Sequence, residues 1–132
     1  NKEVLLSTEW INKKVYTKFP GGGLEFGEGT KDGLKREFQE EMNGSIKILE
    51  HLYTTDKFVQ SAFKKEDQLI SIYYTVDIED PASIEFLSPK DPKFLLEGRQ
   101  HAFHLKPINK LSAEDLSFPV DRHILPLIKK ML

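Results

Sequence analysis

The chain has 132 residues, of which 19 are basic and 21 acidic, and it contains no cysteine. A chain of this length buries about two-thirds of its unfolded surface in one core, so we expect a single domain over residues 1–132, without disulfides or thiolate metal sites. A formal net charge of −2 supplies no general attraction for nucleic acid, and no apolar run approaches the ~20 residues of a membrane helix. Nucleic-acid and membrane partners are therefore not expected, and the lack of cysteine favours the cytoplasm.

The N-terminal part predicts two strands and a glycine-rich loop. Residues 4–6 and 15–19 are rich in strand-forming side chains, and Trp10 and Ile11 fall in the loop predicted between them. Proline and glycine then interrupt regular structure over residues 20–29.

A helix is predicted directly after this loop. Thr30 or Asp32 is the predicted N-cap, and Asn43-Gly44 is typical of a left-handed helix end. The buried stripe is predicted from apolar side chains that recur every four residues, at Leu34, Phe38 and Met42.

The second half predicts three more strands. Residues 46–53 and 69–78 form the first two, and the second of these alternates so that residues 70, 72, 74, 76 and 78 share one face. The polar segment 54–67 between them fits either a strand pair or a flap. Residues 101–106 predict the last strand, which Pro107 ends.

Helical signals follow at the C-terminus. Ser112 begins a pattern that resembles a capping box, and residues 121–132 carry apolar side chains at helical spacing. Pro126 either kinks this helix or marks the first turn of a new one. The order of elements predicts one α/β domain.

Three carboxylates share one face of the predicted central helix. Glu37, Glu40 and Glu41 fall within about one 100° arc beside the apolar stripe. Solvated like charges at this spacing repel each other by only a few tenths of a kcal/mol, so a plain acidic surface is one interpretation.

The loop before the helix favours a ligand site instead. A glycine-rich turn lets backbone groups approach a ligand closely, and here it leads straight into the acidic helix. Clustered carboxylate oxygens suit Mg²⁺ or Mn²⁺, which often bridge to substrate phosphates. Such a cation would polarise phosphorus–oxygen bonds and acidify a bound water, so the pattern indicates metal-assisted hydrolysis of a phosphate anhydride.

The spacing of these residues also resembles a known signature. The pattern begins at Gly22, continues with Glu28 after five intervening residues, and ends, after seven more, with the run Arg36-Glu37-Phe38-Gln39-Glu40-Glu41. It is similar to the motif of the Nudix hydrolase family of the mutator type. The resemblance implies a Nudix-like α/β/α sandwich with a mixed β-sheet. Relatives commonly carry a further strand before residues 4–6, so either that N-terminal strand is absent or the sequence begins after it.

The resemblance also implies an activity and residue roles. Water would attack phosphorus in a nucleoside diphosphate linked to another moiety, such as a nucleoside triphosphate or a nucleotide sugar. The groups that would hold Mg²⁺ or Mn²⁺ are Glu37, Glu40, Glu41 and the backbone of Gly22. Arg36 and Glu28 would orient those carboxylates. The general base differs among relatives and is either Glu37 or a loop carboxylate, for which Glu97 is the candidate.

Substrate recognition is less sharply predicted. Trp10, Phe58 and Tyr74 are candidates for stacking on a nucleobase, although such side chains commonly pack in cores and loops. The alternative functions are a non-catalytic Nudix-like module that senses a nucleotide metabolite, and a structural domain with an acidic face. Retention of all the motif carboxylates favours the enzyme, and relatives are often homodimers.

Overall fold

A computed structural model describes residues 2–88, 90–91 and 101–132 of the chain. The strands are β1 (Glu3–Ile11), β2 (Lys14–Lys18), β3 (Ile46–Thr54), β4 (Ile72–Ile78) and β5 (His101–Pro107). The α-helices are α1 (Thr30–Met42), α2 (Pro119–His123) and α3 (Leu125–Lys129). Short 3₁₀ turns occupy Pro81–Ser83, Ile108–Lys110 and Ala113–Asp115.

β1 and β2 form a hairpin with a two-residue turn. Asn12 and Lys13 have positive φ angles of 49° and 66°, which is the conformation of the tight turns that match strand twist. The ladder therefore continues to the end of β1, so the prediction that Trp10 and Ile11 lie in a loop was wrong. β1 also pairs with β5, and the sheet has the order β2-β1-β5.

β3 and β4 form a second, two-stranded sheet. β4 begins three residues later than predicted, and Ile70 and Ile72 of the predicted apolar face are exposed. The segment between the strands, called the flap below, folds back on itself at one isolated antiparallel bridge, Gln60–Gln68, with backbone hydrogen bonds from Ser61 to Asp67 and from Leu69 to Val59. It is therefore a short, irregular form of the predicted strand pair. Each described ladder is antiparallel, so the parallel pairing of the expected mixed sheet is not found among the described residues.

Neighbouring residues of a strand point to opposite sides, and in β1 both sides are covered by helices. Leu6 belongs to a core cluster with C-terminal residues, namely Ile108, Leu111, Leu116, Ile124 and Ile128. Leu5 packs against a second cluster that includes α1, namely Phe38, Met42, Ile46, Ile84 and Phe103. This arrangement agrees with the predicted α/β/α sandwich.

The predicted N-cap of α1 was wrong, whereas its predicted C-terminal end is confirmed. Gly29 occupies the N-cap position without a side-chain hydrogen bond, so neither Thr30 nor Asp32 is the cap. The Thr30 hydroxyl lies 2.6 Å from the hydroxyl of Tyr74 in β4. At the other end Asn43 adopts the predicted left-handed conformation, with φ of 51°.

The C-terminal helices follow the second of the two predicted alternatives. Pro126 lies in the first turn of α3, so it marks a new helix after α2. The capping box at Ser112 is present, although it begins only a 3₁₀ turn. In the part of the chain that the structure describes, no helix is long and apolar enough to cross a membrane.

Candidate active site

The glycine-rich loop is attached to α1 through one guanidinium group. Arg36 donates from Nε to Glu28 Oε2 at 3.0 Å and from Nη2 to Glu28 Oε1 at 2.8 Å. Nη2 also donates to the carbonyl of Gly23 at 2.9 Å. Gly27 has a φ of 94°, which turns the chain between these two contacts and favours glycine. The loop and the second turn of the helix are therefore one hydrogen-bonded unit.

The charges of this unit stabilise each other. Hydrogen bonds from Arg36, followed by one from the backbone N–H of Glu25, lower the pKa of Glu28 to about 2. Hydrogen bonding to Glu28 and then to Glu37 raises the pKa of Arg36 above its ordinary value. Glu28 is thus an ionised partner of Arg36 over the whole neutral range.

Arg36 also contacts the helix carboxylates. Its Nη1 lies 2.9 Å from Glu37 Oε1 and 3.2 Å from Glu40 Oε2. A planar guanidinium directs its donors in a fixed pattern, so the positions of both carboxylates depend on that of Arg36.

Gly22 lies directly against the carboxylate of Glu37. A Cβ atom at Gly22 would collide with the Glu37 carboxyl group, whereas one at Gly23 would meet nothing within 4 Å. The close approach places the backbone of the loop beside a helix carboxylate, and only glycine allows it.

Glu41 has an unfavourable charge environment. Although part of the residue is exposed to solvent, burial of its carboxyl group, followed by the charge of Glu37, raises its pKa to about 6. Lys18 opposes this rise, and Glu9 and Glu40 add to it. Neighbouring carboxylates raise each other's pKa, and a bound cation would relieve this repulsion.

The carboxylates do not converge on a single point in this structure. Among residues 2–88, 90–91 and 101–132, no three His, Cys, Asp or Glu side chains lie close enough together to hold a metal ion. Two of the predicted ligands, Glu37 and Glu40, are turned toward Arg36. The donors are nevertheless all oxygens, the chemistry that hard divalent cations prefer. Glu97, the predicted loop base, lies outside the described residues.

A groove of about 940 Å³ opens beside the loop. Most of its lining comes from residues 18–24, 57–63, 68–74 and 118–121. Two of the three predicted stacking residues, Phe58 and Tyr74, line it. The third, Trp10, lies on β1 with 40% of its surface exposed and is not among the described lining residues.

Sequence reasoning missed a buried pair in the groove wall. Asp121 is only 6% exposed, and its Oδ1 accepts a hydrogen bond of 2.8 Å from the hydroxyl of Tyr73. Burial raises the pKa of Asp121 despite this hydrogen bond. The two residues are 48 positions apart, so no local pattern indicates their contact.

An aromatic cluster that contributes Phe63 and Phe118 to the groove lining was also missed. The rings of Tyr16 and Phe118 stack with centroids 5.6 Å apart, and Phe63 of the flap contacts both rings edge-on. The cluster ties the flap to β2 and to the residue before α2.

Comparison with known families is consistent with the motif. A family model of the NUDIX domain matches residues 1–123, which is most of the chain. No curated protein sequence matches the chain significantly. The family match extends far beyond the loop and α1, and it includes each of the strands described above. The chain therefore belongs to the Nudix hydrolase family.

Proposed function

We propose that this protein is a divalent-cation-dependent hydrolase of nucleotide anhydrides. Family membership supports a pyrophosphohydrolase-type function in general. The specific reaction that we propose is cleavage of a phosphate anhydride bond in a nucleoside diphosphate linked to another moiety, such as a nucleoside triphosphate or a nucleotide sugar. The observation that carries the proposal is the unit in which Arg36 joins Glu28 to the helix carboxylates beside an open groove.

The cation would be Mg²⁺ or Mn²⁺. Its proposed ligands are Glu37, Glu40, Glu41 and the backbone carbonyl of Gly22. The raised pKa of Glu41, caused by burial and by neighbouring carboxylates, supports a role for a cation there. When bound, the cation would neutralise phosphate charge and polarise the phosphorus–oxygen bonds.

The protein side chains have separate tasks in the proposed reaction. Arg36 and Glu28 orient the helix carboxylates, as their hydrogen bonds in the structure support. A carboxylate, either Glu37 or Glu97, takes a proton from water while the water oxygen forms a bond to phosphorus. The bond from phosphorus to the bridging oxygen breaks, and the leaving phosphate departs with that oxygen.

The groove is suited to the nucleoside part of the substrate. Its volume of about 940 Å³ lies within the roughly 300–1,000 Å³ of small-molecule sites. Phe58 is 75% exposed within the groove lining, so its ring is free to stack on a base. We also propose a cytoplasmic location, from the absence of cysteine, and a homodimer, from the family resemblance alone.

A sensor that binds a nucleotide metabolite without cleaving it is the second candidate. The chain keeps the motif carboxylates Glu28, Glu37, Glu40 and Glu41, and this retention favours the enzyme. The two candidates share the groove but differ in the products that they release.

A phosphate- and pyrophosphate-release screen tests the proposal. The substrates would be nucleoside triphosphates, nucleotide sugars, dinucleotides and ADP-ribose, each with Mg²⁺ or with excess chelator. We expect cation-dependent release that Glu40→Gln abolishes and that Glu114→Gln, a matched change at an exposed residue outside the groove lining, leaves intact. Full activity in chelator would contradict the mechanism, and binding without release would favour the sensor.

A further inference from the structure

One lysine of the groove lining lies directly before the glycine-rich loop. Lys18 is the last residue of β2, and the strand register pairs it with Ser7 of β1. The glycine-rich loop begins two residues later, and Lys18 lines the groove together with that loop. Of the described lysines and arginines, Lys18 and Lys57 line the groove, and Lys57 belongs to the flap.

Lys18 shares the groove lining with the glycine-rich loop and with α2. The groove lining that contains Lys18 also contains Gly22, which lies directly against the Glu37 carboxylate, and the buried carboxyl group of Asp121 on α2. Gly22 and Glu37 are among the proposed cation ligands, whereas Asp121 belongs to the groove wall. Lys18 therefore lies at the junction of the two regions.

The ammonium group of Lys18 is only loosely paired. Its Nζ lies 3.7 Å from Glu9 Oε1, longer than the roughly 2.7–3.2 Å of a hydrogen bond to nitrogen. The Lys18 side chain is 33% exposed. Its donors are thus available to a ligand that enters from the groove.

We infer that Lys18 binds a non-bridging phosphate oxygen of the substrate. The inference rests on the proposed function, because a phosphate chain between the helix carboxylates and the groove would pass this position. Without the positive charge of Lys18, the phosphate chain would meet Glu9, whose negative charge repels phosphate. A lysine ammonium supplies a point charge and a charge-assisted hydrogen bond. Lys18 is therefore a substrate-binding residue, outside the motif.

Replacement of Lys18 by Met tests this inference. Lys14→Met is the matched control, because Lys14 lies on the same face of β2, with its Nζ 5.7 Å from the centroid of the Tyr16 ring and outside the groove lining. Calorimetric titration of the full chain with inorganic pyrophosphate in Mg²⁺ buffer would measure binding. We expect about a 10-fold or greater rise in Kd for Lys18→Met, as for loss of one charged hydrogen bond, and little change for Lys14→Met.

Glu9→Gln separates ligand binding from a structural ion pair. If Lys18 binds phosphate, Glu9→Gln keeps or tightens pyrophosphate binding, because it removes a negative charge and leaves the ammonium. If Lys18 serves only to pair with Glu9, both variants weaken binding equally, and that result overturns the inference. This comparison also decides the matter if Lys18→Met does not fold, since a loss of binding in Glu9→Gln then contradicts the inference. Lys18→Arg should restore most of the binding.

The titration also separates this inference from the proposed function. If the wild-type chain hydrolyses nucleotides and Lys18→Met binds pyrophosphate normally, the inference is wrong and the function stands. If the wild-type chain hydrolyses nothing but binds pyrophosphate through Lys18, the inference stands and the proposed reaction is wrong. Absence of pyrophosphate binding to the wild-type chain overturns the inference. For the best nucleotide of the screen, we expect Lys18→Met to raise KM more than it lowers kcat.

Discussion

Arg36 holds both carboxylate oxygens of Glu28, with Nε 3.0 Å from Oε2 and Nη2 2.8 Å from Oε1. Glu28 belongs to the loop before α1, whereas Arg36 lies in the second turn of the helix. The third nitrogen of the guanidinium reaches Glu37 at 2.9 Å. A loop carboxylate and a proposed cation ligand are thus positioned by the same planar group.

The rate of hydrolysis should depend more on the planar shape of the Arg36 guanidinium than on its charge. Arg36→Lys keeps the charge but cannot bind two carboxylate oxygens and reach a third group. We expect cation-dependent hydrolysis to fall about 10- to 100-fold, as for other residues that orient metal ligands. Steady-state kinetics would measure the change, with Lys35→Met on the exposed side of α1 as the control. Equal activity of Arg36→Lys and the wild type would refute the positioning role.

The Glu28–Arg36 pair should make stability depend on acid pH. Folding lowers the pKa of Glu28 from 4.5 to about 2, first through Arg36 and then through the backbone of Glu25. A lowered pKa stabilises the folded state above pH 4.5, and this contribution is lost as the pH falls from 4.5 toward 2. Thermal unfolding should show Glu28→Gln less stable than wild type at pH 7, with a difference that shrinks below pH 4.5. A difference that stays constant down to pH 2 contradicts this prediction.

Two neighbouring glycines should respond differently to the same substitution. Gly22→Ala forces the Glu37 carboxylate to move, whereas Gly23→Ala meets no atom within 4 Å. Because the displaced group is the end of a flexible side chain, we expect little change in Tm. Hydrolysis should fall about 10-fold or more in Gly22→Ala, since small displacements of reacting groups are costly. Melting curves and kinetics of both variants check this, and equal losses would contradict the proposed contact.

The effect of Glu41→Gln on stability should reverse sign when a cation binds. Burial, with the charge of Glu37, raises the folded-state pKa of Glu41 from 4.5 to about 6, so its ionisation costs stability as the pH rises through this range. At pH 7 without metal, Glu41→Gln should therefore raise Tm by a few degrees. Mg²⁺ should raise Tm of the wild type and of Glu114→Gln but not of this variant. Below pH 6, proton competition should weaken the Mg²⁺ response of the wild type.

The prediction of secondary structure succeeded where signals are local. The apolar stripe of α1 and the left-handed Asn43 were both predicted, because helix periodicity and cap chemistry act within a few residues. The N-cap was wrong because Thr30 contacts Tyr74, a residue 44 positions away. Trp10 was misplaced because a two-residue turn with positive φ at Asn12 and Lys13 has no glycine to signal it.

The sequence by itself determined the family, the acidic helix and its glycine-rich loop, since these features depend on residue types at fixed short spacings. Only the tertiary structure decided that Lys18 lines the groove together with the glycine-rich loop and that Asp121 is buried against Tyr73. The groove joins segments far apart in the chain, and strand register and core packing bring them together. Contacts of this kind leave no periodicity in the sequence, because each partner sits in an ordinary strand or helix of its own.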